Sequence, residues 1–322
     1  MPDNELHHYT LRTREIALNL GFAAVGFAVA GPVERSVWEN YNRKVQTPSY
    51  KDLSYLQNYP ELRYNPEALY PTAKSLIVVA QNYYPPQRQS PQSPQVALYA
   101  YGKDYHKVMR KKMAQLLSAL QLNFGNWVQG RPFCDSAPFM DVYWAQRAGI
   151  GFKGRSGLLI IPNRGSYFFL GTLITNIPLI GDPPFEKSFC GKCRRCIESC
   201  PTGALQDNSV FYADKCISYL TIEHKGDITD PTLRKAIGNH FYGCDECQKA
   251  CPHNRFSTAH SEENLQPNPL VLNLNYEDLQ SFNETFYEQL VVGSAMRRAG
   301  FEGLKRNAEI VCDNYKILDP LP

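Results

Sequence analysis

Eight of the ten cysteines in this chain of 322 residues lie within 62 consecutive positions, in two interlocking runs. Cys190, Cys193, Cys196 and Cys200-Pro201 spell CxxCxxCxxxCP; Cys244, Cys247 and Cys251-Pro252 repeat its ending, and Cys216 stands alone between them. The first spacing is the one used by bacterial two-cluster electron carriers, in which three cysteines hold one 4Fe-4S cluster and the fourth ligates the other. Applied reciprocally, it assigns Cys190, Cys193, Cys196 and Cys251 to one cluster and Cys200, Cys216, Cys244 and Cys247 to the second, with no ligand left over. Over this stretch the cysteines themselves organise the fold, and electron transfer is the chemistry expected.

Other uses of cysteine fit less well. Structural zinc also takes CxxC pairs, but a tetrahedral site has no need of a CxxCxxC triplet or a trailing Cys-Pro. Disulfides would not be confined to one short segment of an intracellular chain. Cys134 and Cys312 lie outside the runs and read as small buried apolar residues.

The length exceeds the usual single core, so two domains are expected. With 43% hydrophobic and 20% charged residues the composition is that of a globular protein, and a net charge of +3 leaves any nucleic-acid partner dependent on a local basic patch. Met1 to Leu11 contain Asp3 and Glu5 and no apolar signal-peptide core. The apolar runs Leu76 to Ala80 and Leu158 to Ile161 are strand-sized, against about 20 residues for a membrane span. A cytoplasmic protein without a membrane segment is expected.

Hydrophobic periodicity predicts a helix over residues 5–20 stopped by Gly21, a short strand over 21–30, and a buried strand over 75–80. Pro85 to Pro94 reads as a surface loop. Asp104 precedes a helix whose apolar stripe is Val108, Met109, Met113, Leu116, Leu117 and Leu120, while Lys107, Arg110, Lys111 and Lys112 read as a solvated face. A helix over 138–148, strands over 157–161 and 167–173 and a break at Asp182-Pro183-Pro184 follow; the tail reads as helical over 276–290 and 294–311.

The domain before the cysteines is too large to be only an adaptor, and FCDSAPFMDVYWAQRAGIGFKGRSGLLII is its densest stretch of candidate site residues. Asp135 follows a predicted strand and precedes a helix, where α/β sheets commonly meet ligands; it reads either as an N-cap or as a carboxyl whose pKa an apolar site could raise toward neutrality. Gly149 to Ser156 is glycine-rich without being a Walker A or dinucleotide loop, so it is either a plain helix-to-strand connection or a ligand loop that presents Lys153 and Arg155.

Asp135-Ser136-Ala137-Pro138, Ala148 to Gly154, Gly165 to Gly171, the cysteine runs, Cys216 to Glu223 and Tyr242 to Gln248 together resemble the epoxyqueuosine reductase family. Arg63 to Pro66, Tyr101 to His106 and Gly293 to Arg298 resemble further segments, so the likeness spans nearly the whole chain. It implies a mixed α/β (α+β) fold: a nitroreductase-like cobalamin-binding domain over 1–182, a ferredoxin-like domain with two 4Fe-4S clusters over 183–256, and a helical C-terminal segment over 257–322. It also implies base-off cob(II)alamin as cofactor and reduction of epoxyqueuosine to queuosine at the wobble position of tRNA, the last step of queuosine synthesis.

By the same resemblance Asp135 is the general acid. Arg63, Asp135, Arg155, Ser156, Leu159, Leu170, Ser218 and Asp245 are cobalamin contacts, although Gly154-Arg155-Ser156 departs from the common Gly-Lys-Asn of the family. His106 is not expected to ligate cobalt, because the corrinoid motif DxHxxG fails at Met109. Arg194, Arg195, Lys225, Arg297, Arg298, Lys305 and Arg306 are candidates for tRNA phosphates. The resemblance further implies a monomer fed by an external low-potential electron donor; longer relatives carry a helical-repeat extension that this sequence, ending at Pro322, is expected to lack. Two rival functions are a reductive dehalogenase-like reductase of small molecules and a ferredoxin-type electron-transfer protein.

Overall fold

The computed structural model describes residues 3–207 and 210–318; the last four positions of the predicted C-terminal segment lie outside them. Its strands are β1 (Ala24–Val29), β2 (Ser75–Asn82), β3 (Gln95–Val96), β4 (Gly130–Phe133), β5 (Phe152–Lys153), β6 (Leu159–Ile160), β7 (Phe168–Thr175) and β8 (His240–Tyr242). The chain divides into two compact units, the first from residues 1–82, 106–193 and 255–258, the second from 83–105, 194–254 and 259–322.

The first unit is built on a four-stranded sheet, order β1-β2-β7-β4, with every pairing antiparallel. β2 lies inside the sheet, and Leu76 to Ala80 are fully buried, as a continuous apolar run between two covered faces should be. Successive side chains alternate between faces. Leu76, Val78 and Ala80 join Phe133, Phe139, Trp144, Ala145 and Ala148 in one core, against helix α5 (Asp141–Arg147). Gly26 makes that approach possible, because a Cβ there would run into the backbone of Ala148. On the opposite face a Cβ at Gly171 would lie 2.9 Å from the Met109 and Met113 side chains, which places α4 (Tyr105–Phe124) against β7.

Helix α1 (Asp3–Asn19) ends as predicted: Gly21 takes φ +83° and donates its N–H to the Leu18 carbonyl at 2.8 Å. Lys112 corrects the solvated-face reading of α4. It is 8% exposed, donating to Gln81 Oε1 at 2.6 Å and to the Gly21 carbonyl at 3.2 Å, with its ammonium 5.0 Å from the Phe22 ring centroid. A lysine can bury its stem and charge when fixed acceptors replace water. Helices α2 (Arg35–Val45) and α3 (Pro60–Tyr64) also belong to this unit.

In the second unit β3 pairs in parallel with β8, and Leu98 donates its N–H to Asp245 Oδ2 at 2.7 Å. The proline-rich loop before β3 is more than surface. Gln89 is buried, accepts the Val96 N–H at 2.9 Å and donates to the Pro94 carbonyl at 2.7 Å. The cysteine-bearing chain carries the short helices α6 (Arg195–Glu198), α7 (Ile217–Ile222), α8 (Pro231–Ile237) and α9 (Glu246–Lys249). α10 (Pro269–Leu272) leads into the tail, where the expected helix over 276–290 is two helices, α11 (Tyr276–Gln280) and α12 (Glu284–Val291). Asn283 breaks the run by capping α12, its side chain accepting the Phe286 N–H at 3.0 Å. A 3-10 turn over Ala295–Ala299 precedes α13 (Gly300–Leu318), whose Asn307 side chain ties together the Thr221 and Phe241 carbonyls at 2.8 and 3.0 Å.

Candidate active site and iron–sulfur ligands

Asp135 is not an N-cap. The cap of α5 is Met140, and Asp135 sits five residues earlier with φ 56°, a left-handed backbone that non-glycine residues adopt at local cost. Its side chain is 63% exposed, and its Oδ2 lies 3.1 Å from His106 Nε2 at the start of α4.

Asp135 also lines a cavity of about 930 Å³ with Arg63 from α3, Asp141 and Tyr143 from α5, and Lys153 from β5. Burial and the neighbouring Asp135 charge push the Asp141 carboxyl up to about 7, with Arg63 acting weakly in the opposite direction. Its Oδ1 is out of contact with solvent and has no hydrogen-bond partner among the described residues. Burial lowers the Lys153 ammonium, and the charge of Lys44 adds to the effect. The cavity thus sets a carboxyl poised near neutrality beside the exposed Lys153.

The glycine-rich segment makes the helix-to-strand connection and also reaches the cavity. Gly149 to Gly151 connect α5 to β5, while Lys153 and Gly157 line the cavity. Arg63 is 9% exposed and donates to the Tyr55 and Asn58 carbonyls, both at 3.1 Å. Arg155 turns toward the first cysteine run, its N–H 3.4 Å from Cys190 Sγ and its guanidinium donating to the Gly191 carbonyl at 3.0 Å. Leu159 belongs to the core, and Leu170 packs partly buried against it. Asp245 is buried and occupied by the Leu98 N–H, and Ser218 lies in the first turn of α7.

Cys200, Cys216, Cys244 and Cys247 all belong to the second unit, and the thiols of Cys216, Cys244 and Cys247 are raised in part by the neighbouring cysteines. Burial is the larger cause at Cys216, Cys244 and Cys247, taking Cys247 up to about 12. Backbone N–H groups of Ser218 and Tyr219 oppose the shift at Cys216, as that of Glu246 does at Cys244. Amides aimed at sulfur suit thiolates that carry iron. Of the other four, Cys190 and Cys193 belong to the first unit, where the Cys193 N–H bonds the Cys190 carbonyl at 2.9 Å, and Cys196 and Cys251 to the second. Cys134 and Cys312 are buried, as read.

Among the basic candidates Arg194, Arg195, Lys225, Arg297, Arg298 and Lys305 are exposed. Arg297 and Arg298 are paired with Glu288 and Glu223 at 3.0 and 2.7 Å. Arg306 is a correction: it is 8% exposed, with its guanidinium donating to the Leu220, His224 and Gly226 carbonyls at 2.7, 3.0 and 2.7 Å. Asp141 escaped the sequence reading, and His106 entered it only as a rejected cobalt ligand. The signal for His106 was its isolation, since no other histidine lies between His8 and His224.

The chain is an iron–sulfur protein: residues 189–254 match the family described as 4Fe-4S double cluster binding domain. Residues 63–136, which hold Arg63, His106 and Asp135, match the family described as Epoxyqueuosine reductase QueG. An epoxyqueuosine reductase of Cyclobacterium marinum is 38% identical over 95% of this chain and 97% of its own length. One of Vibrio cholerae is 35% identical over 96% and 85%. The chain belongs to the epoxyqueuosine reductase family.

Solved structures agree. A crystal structure of an epoxyqueuosine reductase with an epoxyqueuosine-modified tRNA-Tyr stem loop superposes with TM-score 0.84 at 29% identity, covering 95% of this chain and 81% of that one. The Bacillus subtilis enzyme, with its catalytic aspartate loop swung out of the active site, gives 0.81 at 29% identity with the same coverage. No helix among the described residues is long and apolar enough to cross a membrane.

Proposed function

We propose that this chain reduces epoxyqueuosine to queuosine in tRNA, with Asp135 as general acid. The observation that carries the reading is Asp135 itself, held in a left-handed conformation at the edge of a cavity and hydrogen bonded to His106. A residue kept in a costly conformation with its carboxyl exposed toward a cavity is positioned for work rather than for packing. In the family matched by residues 63–136, that work is reduction of an epoxide.

Cobalamin is the proposed cofactor, and the first unit fits a ligand of its kind. The cavity wall holds the orphaned Oδ1 of Asp141, an acceptor that an amide or hydroxyl hydrogen would satisfy. Arg63 and Asp135, which line the cavity, would hold it, with Leu159 and the partly buried Leu170 in the core beside it; Arg155, Ser156, Ser218 and Asp245 are proposed contacts on the resemblance alone. When bound, cobalamin supplies a low-potential metal able to break carbon–oxygen bonds that no side chain reduces. The protein contributes orientation through these residues, a proton at Asp135 Oδ2, and a path for electrons along the cysteine-bound clusters. The cluster assignments drawn from spacing, the external low-potential electron donor and a monomeric state belong to the same proposal. Exposed Arg194, Arg195, Lys225, Arg297, Arg298 and Lys305 are the proposed phosphate contacts.

The test is anaerobic conversion of an epoxyqueuosine-bearing tRNA stem loop by the cofactor-loaded protein with a low-potential reductant, comparing the parent with Asp135→Asn. Loss of about 10²–10⁴-fold in kcat is expected for a missing general acid. Equal turnover by the two proteins would remove Asp135 from that role.

A further inference from the structure

Deoxygenating an epoxide breaks two carbon–oxygen bonds, forms one carbon–carbon π bond and two O–H bonds, and releases water. It consumes two electrons and two protons. The electrons come from the external low-potential donor, but one carboxyl carries one proton, so a lone general acid is spent halfway. Something must recharge it before the second carbon–oxygen bond breaks.

We infer that His106 is the positioning and proton-supplying partner of Asp135, returning a proton across the Nε2 to Oδ2 hydrogen bond within each turnover. The inference rests on the reaction proposed above. Three observations support it. The contact is 3.1 Å, within reach of direct transfer. The imidazole is 25% exposed, so it can be refilled from solvent, and imidazole is the side chain that takes and gives protons near neutrality. His106 is anchored independently of Asp135, because it lies in the first turn of α4 and its carbonyl accepts the Arg110 Nε–H at 3.1 Å. Asp141 also lines the cavity, yet its Oδ1 has no hydrogen-bond partner among the described residues through which a proton could pass.

The step balances. Asp135–COOH gives its proton to the oxygen released from the first carbon; the carboxylate takes a proton from the His106 imidazolium; the restored acid gives the second proton as water leaves; and neutral His106 is reprotonated from solvent. The charged and titratable groups that share the cavity with Asp135, and that any pH profile will also report, are Glu34, Tyr41, Arg63, Asp141, Tyr143, Arg147, Lys153 and Glu186, with Arg110 beside His106 on α4.

The experiment compares parent, His106→Gln and His106→Ala in multiple-turnover reduction of the modified stem loop by loaded protein. Glutamine keeps a hydrogen-bonding side chain but cannot relay a proton. His106→Gln is expected to lose about 10²-fold in kcat with KM unchanged. It should also lose the decline in kcat that the parent shows as pH rises and the imidazolium is depleted. Added imidazole should restore His106→Ala but not Asp135→Asn. Parent-like kcat and pH profile in His106→Gln would overturn the inference, leaving His106 a spacer.

Inactivity of the parent would instead sink the proposed function. The pair is then tested without turnover by nitrogen-15 titration of the His106 ring in parent and Asp135→Asn, which also decides the matter if the histidine variants fail to fold. Losing the carboxylate partner must lower the His106 midpoint, and an unchanged midpoint overturns the pair.

Discussion

Replacing Arg306 with methionine separates two roles that its sequence context leaves open. If it contacts tRNA phosphate, the variant should fold normally and bind tRNA with a weaker salt dependence, the slope of log affinity against log salt falling by about 0.7–0.9. The structure calls for the opposite. The guanidinium donates to three backbone carbonyls, of which Leu220 belongs to a buried residue of α7, while His224 and Gly226 lie nearer solvent. The latter two carbonyls recover water in the variant, and the Leu220 carbonyl does not. Three bonds at a net ~1 kcal/mol each, plus part of the penalty for one stranded acceptor, less the relief of no longer burying a charge, give a loss of about 3 kcal/mol. Because Cys216 is the N-cap of α7, iron should also leave the variant faster under mild chelation. The assay is anaerobic urea denaturation followed by far-ultraviolet and cluster absorbance, with tRNA binding measured across salt on the folded protein. A loss below about 1 kcal/mol together with a flatter salt slope would refute the structural role.

Four further outcomes follow from the same geometry. Cys216→Ala should halve the bound iron by removing one ligand of a single cluster, and full retention would break the reciprocal assignment. Asp141 has a folded-state pKa raised to about 7, so its contribution to stability is fully present below about pH 4 and is lost as pH rises toward 7. Asp141→Asn should therefore flatten the stability–pH curve over that window and be more stable than the parent at pH 8; parallel curves would show the carboxyl to be unstrained. Gly26→Ala should cost more than about 3 kcal/mol, because its methyl meets the backbone of Ala148 rather than a movable side chain, and a variant within about 1 kcal/mol of the parent in urea would refute that packing. Lys112→Met should destabilise even though it fills the site with apolar volume, since Gln81 Oε1 and the Gly21 carbonyl lose their donor; a more stable variant would show those acceptors to be reached by water.

What could be read in advance was what depends on neighbours in sequence. The continuous apolar run of β2, the stripe on α4 and the glycine stop of α1 are local patterns, and each became the element it suggested. Cysteine spacing is local too, which is why residues 189–254 announced their chemistry. The misreadings involve groups whose partners are distant. Lys112 meets Gln81 and Gly21 only after β2 and α1 have packed, and Arg306 finds carbonyls some 80 residues earlier. A cation looks equally solvated in sequence whether water or folded backbone receives it. His106 was set aside because it failed one motif, and its contact with Asp135 bridges 29 residues that no periodicity connects.

The hydrogen bond from Leu98 to Asp245 spans 147 residues and sets the order in which the molecule can be finished. Asp245 lies between two residues assigned as ligands, Cys244 and Cys247, so the loop that carries them gains this support only from the turn after β3, made long before it. On the ribosome the segment 83–105 must wait, with β3 unpaired, until β8 emerges. Such distant closures are slow, and an exposed strand edge invites misassociation in the interval. Insertion of the cluster assigned to Cys200, Cys216, Cys244 and Cys247 is therefore a late event in biogenesis. Nascent chains that stall before residue 240 should be prey for proteases rather than early iron-loaded intermediates.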